Sequence, residues 1–593
     1  MDTSISDSAD YLSANSFINA YLREFDDWRL GTSPQSWQDA GFPEQVLIIP
    51  MGRQTLWVGV EYWSQCGRHR FVMPARCEFV DNGHCRRVRF LCLAKMLVEN
   101  AALQTNGTIG AMARLLERIM ESHRNLEMIL ALRDSEVEPI FRQPLSFLQA
   151  EQSLLSGHST HPAAKACQPM TLTEAVQYGA EGGNGFALAW LLVRDDRLHY
   201  HSADHLSLQQ RVTQLLESDA LLDSVDWEIP AGYSLIPAHP WQLARLQSLP
   251  QLQRAFAERQ IMVLAPRGQH WHGTSSMRTV YADHAPYMLK FSLGVRLTNS
   301  VRHLLPEEAE RGILVSKMLA TETGQQFNKR FTQFDIMREP AYLCLLDDTG
   351  NPIAESTMLF RDNPMGARQD VQYNLLAAIT QDHPTGEQSR LASLVREVAF
   401  HQRSGLAQAA RCWFMEFLEV AIKPVLLAQA DYGLLLNAHQ QNLVLGLRDG
   451  MPVHSYYRDC RTVGVSDVGI RLFKLDKDVV NESSTEAFGY CLVVNSLFSI
   501  ISTMGADGLI DEAVLLADLQ AFFKLYKTNL RRDCSFILSM LEGEALYQRA
   551  NFHDALAERN EGTAQHRFSR LLAVSKPRYT VQSEPAPQVM LAG

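Results

Sequence analysis

The chain has 593 residues, of which 46% are hydrophobic and 20% charged, and this is the composition of a globular protein with a large core. Its net charge of -11 argues against general binding to nucleic acid or to an anionic membrane, although a basic pocket can exist inside an acidic shell. The ten cysteines form no CxxC pair, so the sequence favours neither a zinc ribbon nor a disulfide scaffold and fits a reducing compartment.

Neither the N-terminus nor the most apolar run has the pattern of a targeting or membrane segment. The chain begins MDTSISDSADYL, which is acidic and polar and unlike a signal peptide. The most apolar run, Tyr490 to Met504, contains Asn495 and several serines and is expected to be too short to cross a bilayer. The sequence therefore predicts a cytoplasmic protein that binds no membrane.

The first part of the chain combines predicted helices with a predicted sheet. Residues 11–30 and 109–133 carry apolar side chains at helical spacing. Residues 45–95 alternate and are rich in β-branched and aromatic side chains, which predicts a small antiparallel sheet. Its turns are expected at Gly52, Gly67 and Asn82-Gly83. We place a domain boundary near Ser156, so that residues 1–155 form a first unit.

The segment SGHSTHPAAK, from Ser156 to Lys165, holds two histidines three residues apart. A metal-binding pair on a helix is disfavoured because Pro162 pushes His161 out of helical geometry, and no carboxylate follows at the spacing of a zinc protease motif. Two interpretations remain. The serine, histidine and lysine donors of this loop face an anion, or the segment is a surface loop that is rich in histidine.

The stretch from Gly273 to His303 carries the clearest chemistry. From Tyr287 to Leu297 apolar and polar residues alternate, which predicts a long strand with one face on a core and the other, bearing Lys290, on a polar surface. Arg278 precedes this strand and Arg302 follows it, each beside hydroxyl residues. Guanidinium groups, an ammonium and hydroxyls are the groups that hold carboxylates and phosphates. A half-exposed strand with solvated charges is the alternative.

A hairpin, a linker and a helix-rich region are predicted next. Residues 341–361 alternate around a turn at Asp347 to Asn351. The polar, proline-containing stretch 361–389, apart from a short apolar patch at Leu375 to Ile379, is interpreted as a linker or mobile loop. Helices are expected after it at residues 391–400, 405–427 with a kink at Pro424, 486–504, 511–526 and 533–541.

Within the helix-rich region, YGLLLNAHQQNLVL places a polar turn between two apolar runs. Asn437, His439 and Gln441 fall in this turn, and Asp459 follows the next short strand. A turn of this composition followed by an aspartate is how nucleotide sites commonly place water and Mg²⁺ ligands. A hydrogen-bonded turn in an ordinary domain is the alternative.

Six segments in this order resemble the IucA/IucC family of NRPS-independent siderophore synthetases and span about residues 150–465. They are GHSTHPAAK, HPWQ, TSSMRTVY, MLKFSLGVRLTNSVR, AHQQN and YRDC. The form of TSSMRT and KFSLGVRLTNSVR is most similar to the branch of the family that activates citrate itself.

The resemblance implies an ATP-dependent ligase. In such an enzyme a citrate carboxylate attacks the α-phosphate of ATP and pyrophosphate leaves, after which an amine or hydroxyl attacks the acyl-adenylate and releases AMP. The implied fold is α+β and shaped like a cupped hand, with a thumb at residues 1–155, fingers with an antiparallel sheet at 156–370 and a helix-rich palm at 371–593. Because family members are often dimers, a homodimer is expected.

The resemblance also assigns roles to residues of the six segments. Citrate is expected to be held by Ser276, Arg278, Thr298, Arg302 and His439. The nucleotide side is expected to contain Ser156, His161, Lys165, Lys290, Arg302, Asn437, Gln441 and Asp459. The implied catalytic set is Arg278, Lys290, Arg302 and His439. Asp459 is the expected Mg²⁺ ligand, Lys290 is expected to contact the α-phosphate, and His439 either takes a proton or only positions citrate.

Two positions depart from the family pattern. Residue 437 is Asn where some members have a carboxylate, which weakens any role in handling a proton or Mg²⁺. Lys165 is followed by Ala166-Cys167, where an arginine or another polar residue is common.

Two other functions stay open at this point. A lysine on a strand with a downstream His-Gln-Asn turn also suits a small-molecule kinase or other phosphotransferase. A non-catalytic citrate or ferric-citrate binding protein would use the same cationic cleft without ATP. The nucleophile is open among diamines, N-hydroxylated lysine derivatives, 2,3-diaminopropionate and the serine hydroxyl.

Overall fold

A computed structural model describes residues 4–366, 368, 370–476, 484–543, 545–559 and 566–572 of the chain. They form an α+β protein in which antiparallel sheets and helical layers surround a deep cleft. The elements up to residue 178 are α1 Ile5–Leu22, β1 Arg29–Thr32, α2 Gln35–Gln38, β2 Gln45–Met51, β3 Gln54–Tyr62, β4 Arg70–Phe79, β5 Cys85–Val88, α3 Phe90–Thr105, α4 Ile109–Leu132, α5 Val137–Arg142, α6 Phe147–Gln152, β6 Cys167–Gln168 and α7 Leu172–Tyr178.

The middle of the chain is richest in strands. Its elements are β7 Gly185–Ala187, β8 Ala189–Arg194, β9 Leu198–Ser202, α8 Leu208–Glu217, β10 Tyr233–Ala238, α9 Pro240–Ser248, α10 Pro250–Ala257, β11 Ile261–Leu264, β12 His270–Gly273, β13 Thr279–Tyr281, β14 Tyr287–Phe291, β15 Leu293–Leu297, β16 Ser300–Arg302, α11 Pro306–Ala320, α12 Glu322–Arg330, β17 Phe334–Ile336, β18 Ala341–Leu345, β19 Met358–Asp362 and β20 Gln372–Leu375.

Helices dominate the remainder. Its elements are α13 Leu376–Thr380, α14 Arg390–Gln402, α15 Leu406–Phe417, α16 Lys423–Tyr432, β21 Leu434–Leu435, β22 Leu443–Arg448, β23 Met451–Tyr457, β24 Gly464–Val465, α17 Asp467–Phe473, α18 Thr485–Gly489, α19 Phe498–Ala506, α20 Glu512–Lys527, α21 Ser535–Glu542, β25 Ala545–Arg549, α22 Asn551–Leu556 and β26 His566–Leu572.

The N-terminal sheet pairs β1 to β5 in sequence order, all antiparallel, which confirms the prediction of a sheet in this region. Gly52, Gly67 and Gly83 have φ values of 60°, 72° and 65°, a left-handed backbone that glycine adopts without steric cost. The range predicted for this sheet, residues 45–95, extends too far, because helix α3 begins at Phe90. The predicted helix over 11–30 also ends early, at Leu22, because α1 is buried along nearly its whole length and its pattern does not mark its end.

A seven-stranded antiparallel sheet of order β7-β12-β13-β14-β19-β18-β9 forms the centre of the molecule. The hairpin predicted over 341–361 is confirmed, since β18 and β19 pair with Leu343 opposite Met358. The helix predicted over 109–133 is likewise present as α4.

The predicted long strand from Tyr287 to Leu297 is two strands in two sheets. β14 lies inside the seven-stranded sheet, whereas β15 pairs with β16 and β6. The chain bends at Ser292, whose Oγ donates to Ala354 O at 2.5 Å and accepts from Leu304 N at 2.7 Å. All five residues of β14 are buried because both faces of the sheet are covered, so the prediction of a polar face bearing Lys290 is wrong.

The described residues of the stretch 361–389 include a strand and a helix, so its interpretation as a linker is also wrong. β20 is the edge of a four-stranded sheet of order β17-β23-β22-β20, and α13 follows it directly. This sheet takes β17 from before the predicted boundary at residue 370 and its other strands from after it. Buried Leu376 and Ile379 join the largest apolar core of the molecule, and they belong to the apolar patch that the sequence showed at Leu375 to Ile379.

The same core contains a helical stretch from Thr485 to Ala506, 22 residues long, with an 18-residue window of mean hydropathy 1.6. By length and composition alone this stretch would suffice to cross a membrane, so the expectation that it is too short is wrong. That window is 89% buried inside the protein, as a core helix is. A π-helical turn at Leu418–Ile422 lies just before Pro424, where the sequence predicts a kink.

The last described helix returns to the N-terminal layer. Phe552 of α22 packs edge-on against Phe17 and Tyr21 of α1, with ring centroids 5.3 and 5.6 Å apart. The Glu24 carboxylate accepts from the backbone N–H groups of Phe552 and His553 at 2.7 and 2.8 Å. These contacts bring the two ends of the described chain together beside the cleft.

Candidate active site

The cleft has a volume of about 320 Å³ and receives side chains from all parts of the described chain. Every site residue predicted from the sequence lines it except Lys290: Ser156, His161, Lys165, Ser276, Arg278, Thr298, Arg302, Asn437, His439, Gln441 and Asp459. The segments that contain them are far apart in sequence and meet because the sheets and the helical core enclose one space.

Arg278 is a buried cation with few hydrogen-bond partners in the described part of the chain. Its side chain donates only from Nη1, to the backbone carbonyls of Arg302 and His303 at 3.4 Å each, and its Nε has no partner among the described residues. The residue is 3% exposed, and no described carboxylate lies within 4.0 Å of it. Burial, followed by repulsion from Arg461, lowers the pKa of Arg278 to about 9. An anion beside this guanidinium would relieve that cost.

Thr298 lies in the tight turn between β15 and β16 with φ of 54°, which is unusual for a β-branched residue. Its Oγ1 accepts from Arg302 Nη2 at 2.9 Å and donates to Leu297 O at 2.6 Å. Arg118 Nη2 also donates to the Thr298 carbonyl. These bonds hold the hydroxyl and the Arg302 guanidinium together at the cleft wall, and strained backbone of this kind is frequent at functional sites.

The histidine-rich loop contributes hydrogen-bond donors with little net charge. His161 Nδ1 accepts from Ala163 N at 3.0 Å, which assigns the proton to Nε2, and Nε2 donates to Asn299 Oδ1 at 3.1 Å. Burial, followed by repulsion from Arg118, holds the pKa of His161 well below its ordinary value, so the ring is neutral. Lys165 donates to Leu154 O at 2.9 Å and pairs with the Glu181 carboxylate.

The polar turn around His439 contributes Asn437, His439 and Gln441 to the same cleft. Asn437 Nδ2 donates to Thr462 O at 2.8 Å, while its buried Oδ1 has no donor within the described part of the chain. His439 Nδ1 accepts from Gln441 N at 3.3 Å, which places the proton of the neutral ring on Nε2. Gln441 Nε2 donates to Ser275 O at 2.9 Å and links the turn to the loop before β13.

Lys290 lies beneath the cleft wall. Its Nζ donates to Asp459 Oδ1 at 2.6 Å and to Glu339 Oε1 at 3.3 Å, and Glu339 also accepts from Arg361 Nε at 3.0 Å. Burial lowers the pKa of Lys290 in spite of the two carboxylates. Burial would raise the pKa of Asp459, but Lys290 and then Arg461 outweigh it and hold that pKa well below its ordinary value. Asp459 is therefore ionised, and it is Asp459 that reaches the cleft.

The sequence reasoning missed Arg461, which lines the cleft between two carboxylates. Its Nε lies 3.5 Å from Asp459 Oδ2 and its Nη1 lies 3.1 Å from Glu308 Oε1. Its position two residues after Asp459 was the available signal. It also missed the ion pair of Glu151 and Arg458 behind the cleft, for which no local motif exists.

Asp459 has the chemistry of a Mg²⁺ ligand, since it is an ionised carboxylate partly open to the cleft. Two other groups of described side chains have donor atoms within 4.8 Å of one another, namely Glu138, His383 and Glu387, and Glu397, His401 and Asp449. Neither group lines the cleft. In the first, Arg142 lies 3.6 Å from Glu138 Oε1 and 3.0 Å from Glu387 Oε2, so a cation already occupies the space.

The fold is α+β, and its cleft is lined by guanidinium groups and by N–H donors held in place by hydrogen bonds. These features define a class of protein that binds small polyanions. A model of the IucA / IucC family matches residues 146–381, and a model described as a ferric iron reductase FhuF-like transporter matches residues 411–564.

Two relatives and a solved structure extend the match to nearly the whole chain. N(2)-citryl-N(6)-acetyl-N(6)-hydroxylysine synthase of Vibrio mimicus is 32% identical over 92% of this chain and 92% of its own length. The protein of the same name from Escherichia coli is 32% identical over 94% of this chain and 95% of its own length. The structure of ATP-bound aerobactin synthetase IucA from Klebsiella pneumoniae matches with a TM-score of 0.87 and 31% identity, covering 95% of this chain and 99% of that one. The chain belongs to the IucA/IucC family.

Proposed function

We propose that this chain is an ATP-dependent ligase that activates a carboxylate of citrate as an acyl-adenylate, with release of pyrophosphate, and joins it to an amine or hydroxyl, with release of AMP. The observation that carries the proposal is Arg278, a guanidinium that is 3% exposed and has no carboxylate partner among the described residues. A tricarboxylate supplies the charge that this cation lacks. The names of the relatives support citrate as substrate, and the ATP-bound structure supports the nucleotide.

The reaction needs the positive charge that the cleft gathers. A citrate oxygen must bond to the α-phosphorus while the bond from that phosphorus to pyrophosphate breaks, yet both reactants are anions. Fixed cations offset their repulsion and the charge that develops in the transition state. The amine nitrogen then bonds to the acyl carbon as the bond to AMP breaks. A cleft lined by Arg278, Arg302 and Arg461 suits the first step.

We assign citrate to the side of the cleft that contains Ser276, Arg278, Thr298, Arg302 and His439. His439 acts there as a donor from Nε2, because its Nδ1 already accepts from the backbone of Gln441. A histidine in this state positions a carboxylate and does not accept a proton at Nε2.

We assign ATP to the opposite side, with Ser156, His161, Lys165, Asn437, Gln441 and Asp459. Mg²⁺ held by Asp459 and phosphate oxygens would offset the charge of the nucleotide. Lys290 supports this side by keeping Asp459 ionised, and a direct contact with the α-phosphate would require Asp459 to move aside.

We further propose the division into a thumb at 1–155, fingers at 156–370 and a palm at 371–593, a homodimer, and a cytoplasmic location. The cupped-hand arrangement is supported by the cleft itself, which receives residues from all of these ranges.

The test is an assay of ATP consumption with citrate and a panel of amines and amino alcohols. The ligase releases AMP and pyrophosphate only when citrate is present. Release of ADP would identify a kinase instead, and citrate binding with no ATP consumption against the whole panel would identify a binding protein. Arg278→Met should abolish the citrate-dependent release while leaving ATP affinity within about threefold of wild type.

A further inference from the structure

A buried ion pair lies behind the cleft. Glu151, in α6, is 0% exposed, and Arg458, directly after β23, is 2% exposed. Arg458 Nη1 and Nη2 donate to the two Glu151 carboxylate oxygens at 2.8 and 3.2 Å, a bidentate geometry that fixes both side chains. Neither residue lines the cleft, so neither is placed to touch a ligand there.

The pair holds the loop before β13. Glu151 Oε2 accepts from Ser275 N at 3.0 Å and from Ser275 Oγ at 2.9 Å, and Arg458 Nη2 donates to the same Oγ at 3.1 Å. The next residues of this loop present Ser276 and Arg278 to the cleft. The ion pair therefore fixes the backbone of the loop that carries Ser276 and Arg278, two residues that we assign to citrate binding.

The pair also holds the polar turn around His439. Arg458 Nε donates to Gln441 O at 2.9 Å, and the Arg458 N–H donates to Asn442 O at 3.1 Å, so the turn that carries His439 is fixed at two carbonyls. Asp459 follows Arg458 with φ of 78°, a left-handed conformation that a residue with a Cβ holds only when its surroundings impose it.

We propose that Glu151 and Arg458 form a positioning pair for the adenylation step, an inference that rests on the function proposed above. The pair sets the separation between Arg278 on one side of the cleft and Asp459 on the other, and with it the distance from the citrate carboxylate to the α-phosphorus. A displacement of about 1 Å costs on the order of 100-fold in rate for a reaction that depends on placement. Disrupting the pair leaves in place the groups that bind citrate and ATP, so kcat falls while KM changes little.

The test compares Glu151→Gln, Arg458→Met and the double variant. Glu151→Gln leaves Arg458 buried without its counter-charge, and we expect kcat for citrate-dependent pyrophosphate release to fall about 100-fold with KM for citrate and ATP within about threefold. The double variant removes both charges, and we expect it to regain thermal stability but not kcat. A pair that serves stability alone would regain both, and that result would overturn the proposal.

A matched control lies outside the cleft, where Arg330 Nη1 pairs with buried Asp431 Oδ2 at 2.7 Å. Asp431→Asn should lower the melting temperature and leave kcat unchanged. Calorimetric titration of each variant with ATP shows that it is folded. Wild-type protein that releases no pyrophosphate overturns the proposed function and this inference with it. An active wild type matched in kcat by the double variant overturns the positioning role alone.

Discussion

The Lys290 ammonium donates a 2.6 Å hydrogen bond to the Asp459 carboxylate, and this bond lies between the central sheet and the cleft. Lys290 is 1% exposed and does not line the cleft, whereas Asp459 does. The positive charge of Lys290 in β14 therefore acts on the cleft through Asp459. The geometry makes the ionisation of one residue depend on the other.

Lys290→Met is expected to lower the free energy of unfolding by about 3–5 kcal/mol, the usual cost of removing one partner of a buried pair. The native pKa of Asp459 is lowered, so the stability from the pair is full above the unfolded pKa of about 4 and is lost as the pH falls through the native pKa. Without Lys290 that native pKa rises, and the acid limb of the stability profile moves to higher pH. Urea denaturation at a series of pH values measures the move.

The control for this variant is Lys317→Met, which removes an exposed lysine from α11. It should change the unfolding free energy by less than about 0.5 kcal/mol and leave the acid limb in place. An unchanged acid limb in Lys290→Met would contradict the coupling.

Arg278→Met is expected to stabilise the ligand-free protein by about 1–3 kcal/mol, because it removes a buried charge with no carboxylate within 4.0 Å among the described residues. The native pKa of about 9 lies well below the ordinary value of a guanidinium, so the charged form costs stability at every pH below about 9, and the cost is relieved only as the pH rises from 9 towards that ordinary value. Differential scanning calorimetry at neutral pH should show a higher melting temperature for the variant, and citrate should no longer raise it.

Arg390→Met is a matched control, since Arg390 is also buried and forms no ion pair among the described residues. Unlike Arg278, it donates to Asn374 Oδ1, Ile140 O and Gln143 O at 2.9, 3.1 and 2.6 Å. Its removal should lower the melting temperature and leave the response to citrate intact. If Arg278→Met also lost stability and kept that response, the anion site would lie elsewhere.

His161 is expected to bind ATP as a neutral donor when its Nε2–H exchanges Asn299 Oδ1 for a phosphate oxygen. His161→Leu should weaken ATP about tenfold, the value of one hydrogen bond to a charged group, while His161→Gln, which keeps an N–H donor, should stay within about threefold of wild type. The pKa of His161 lies well below its ordinary value of 6.5, so the deficit of His161→Leu should be the same at pH values of about 6 and 8. Isothermal titration calorimetry at both values measures it, and a deficit that grew at the lower pH would indicate a charged imidazole.

Asn437→Asp is expected to destabilise the cleft wall. The Asn437 Nδ2 donor to Thr462 O would become an oxygen facing an oxygen, at a cost of about 1–3 kcal/mol in unfolding free energy. The added negative charge should also weaken ATP binding. Asn82→Asp, in the exposed turn between β4 and β5, adds the same charge outside the cleft, keeps the oxygen that accepts from His84 N at 2.9 Å, and should alter neither quantity. Unchanged ATP affinity in Asn437→Asp would remove residue 437 from the nucleotide side.

Local sequence patterns were sufficient to predict elements whose structure depends mainly on neighbouring residues. The hairpin of β18 and β19 followed from alternation around an Asp-to-Asn turn, and α4 followed from apolar spacing along one face. Alternation failed at β14, because a strand covered on both faces can bury a polar side chain whose charge is paired, as Lys290 is. Polar neighbours hid β20, whereas α13 coincides with the apolar patch at Leu375 to Ile379, of which Leu376 and Ile379 enter the largest core.

The sequence by itself determined which chemical groups the site contains, because Arg278, His439, Asp459 and their neighbours stand in recognisable motifs. Only the tertiary structure decided how they are used. It put Lys290 behind Asp459, left Arg278 with no carboxylate within 4.0 Å in the described part of the chain, and joined Glu151 to Arg458 across 307 residues of chain. Burial and long-range pairing set the charge and placement of each group, and neither is written in the residues beside it.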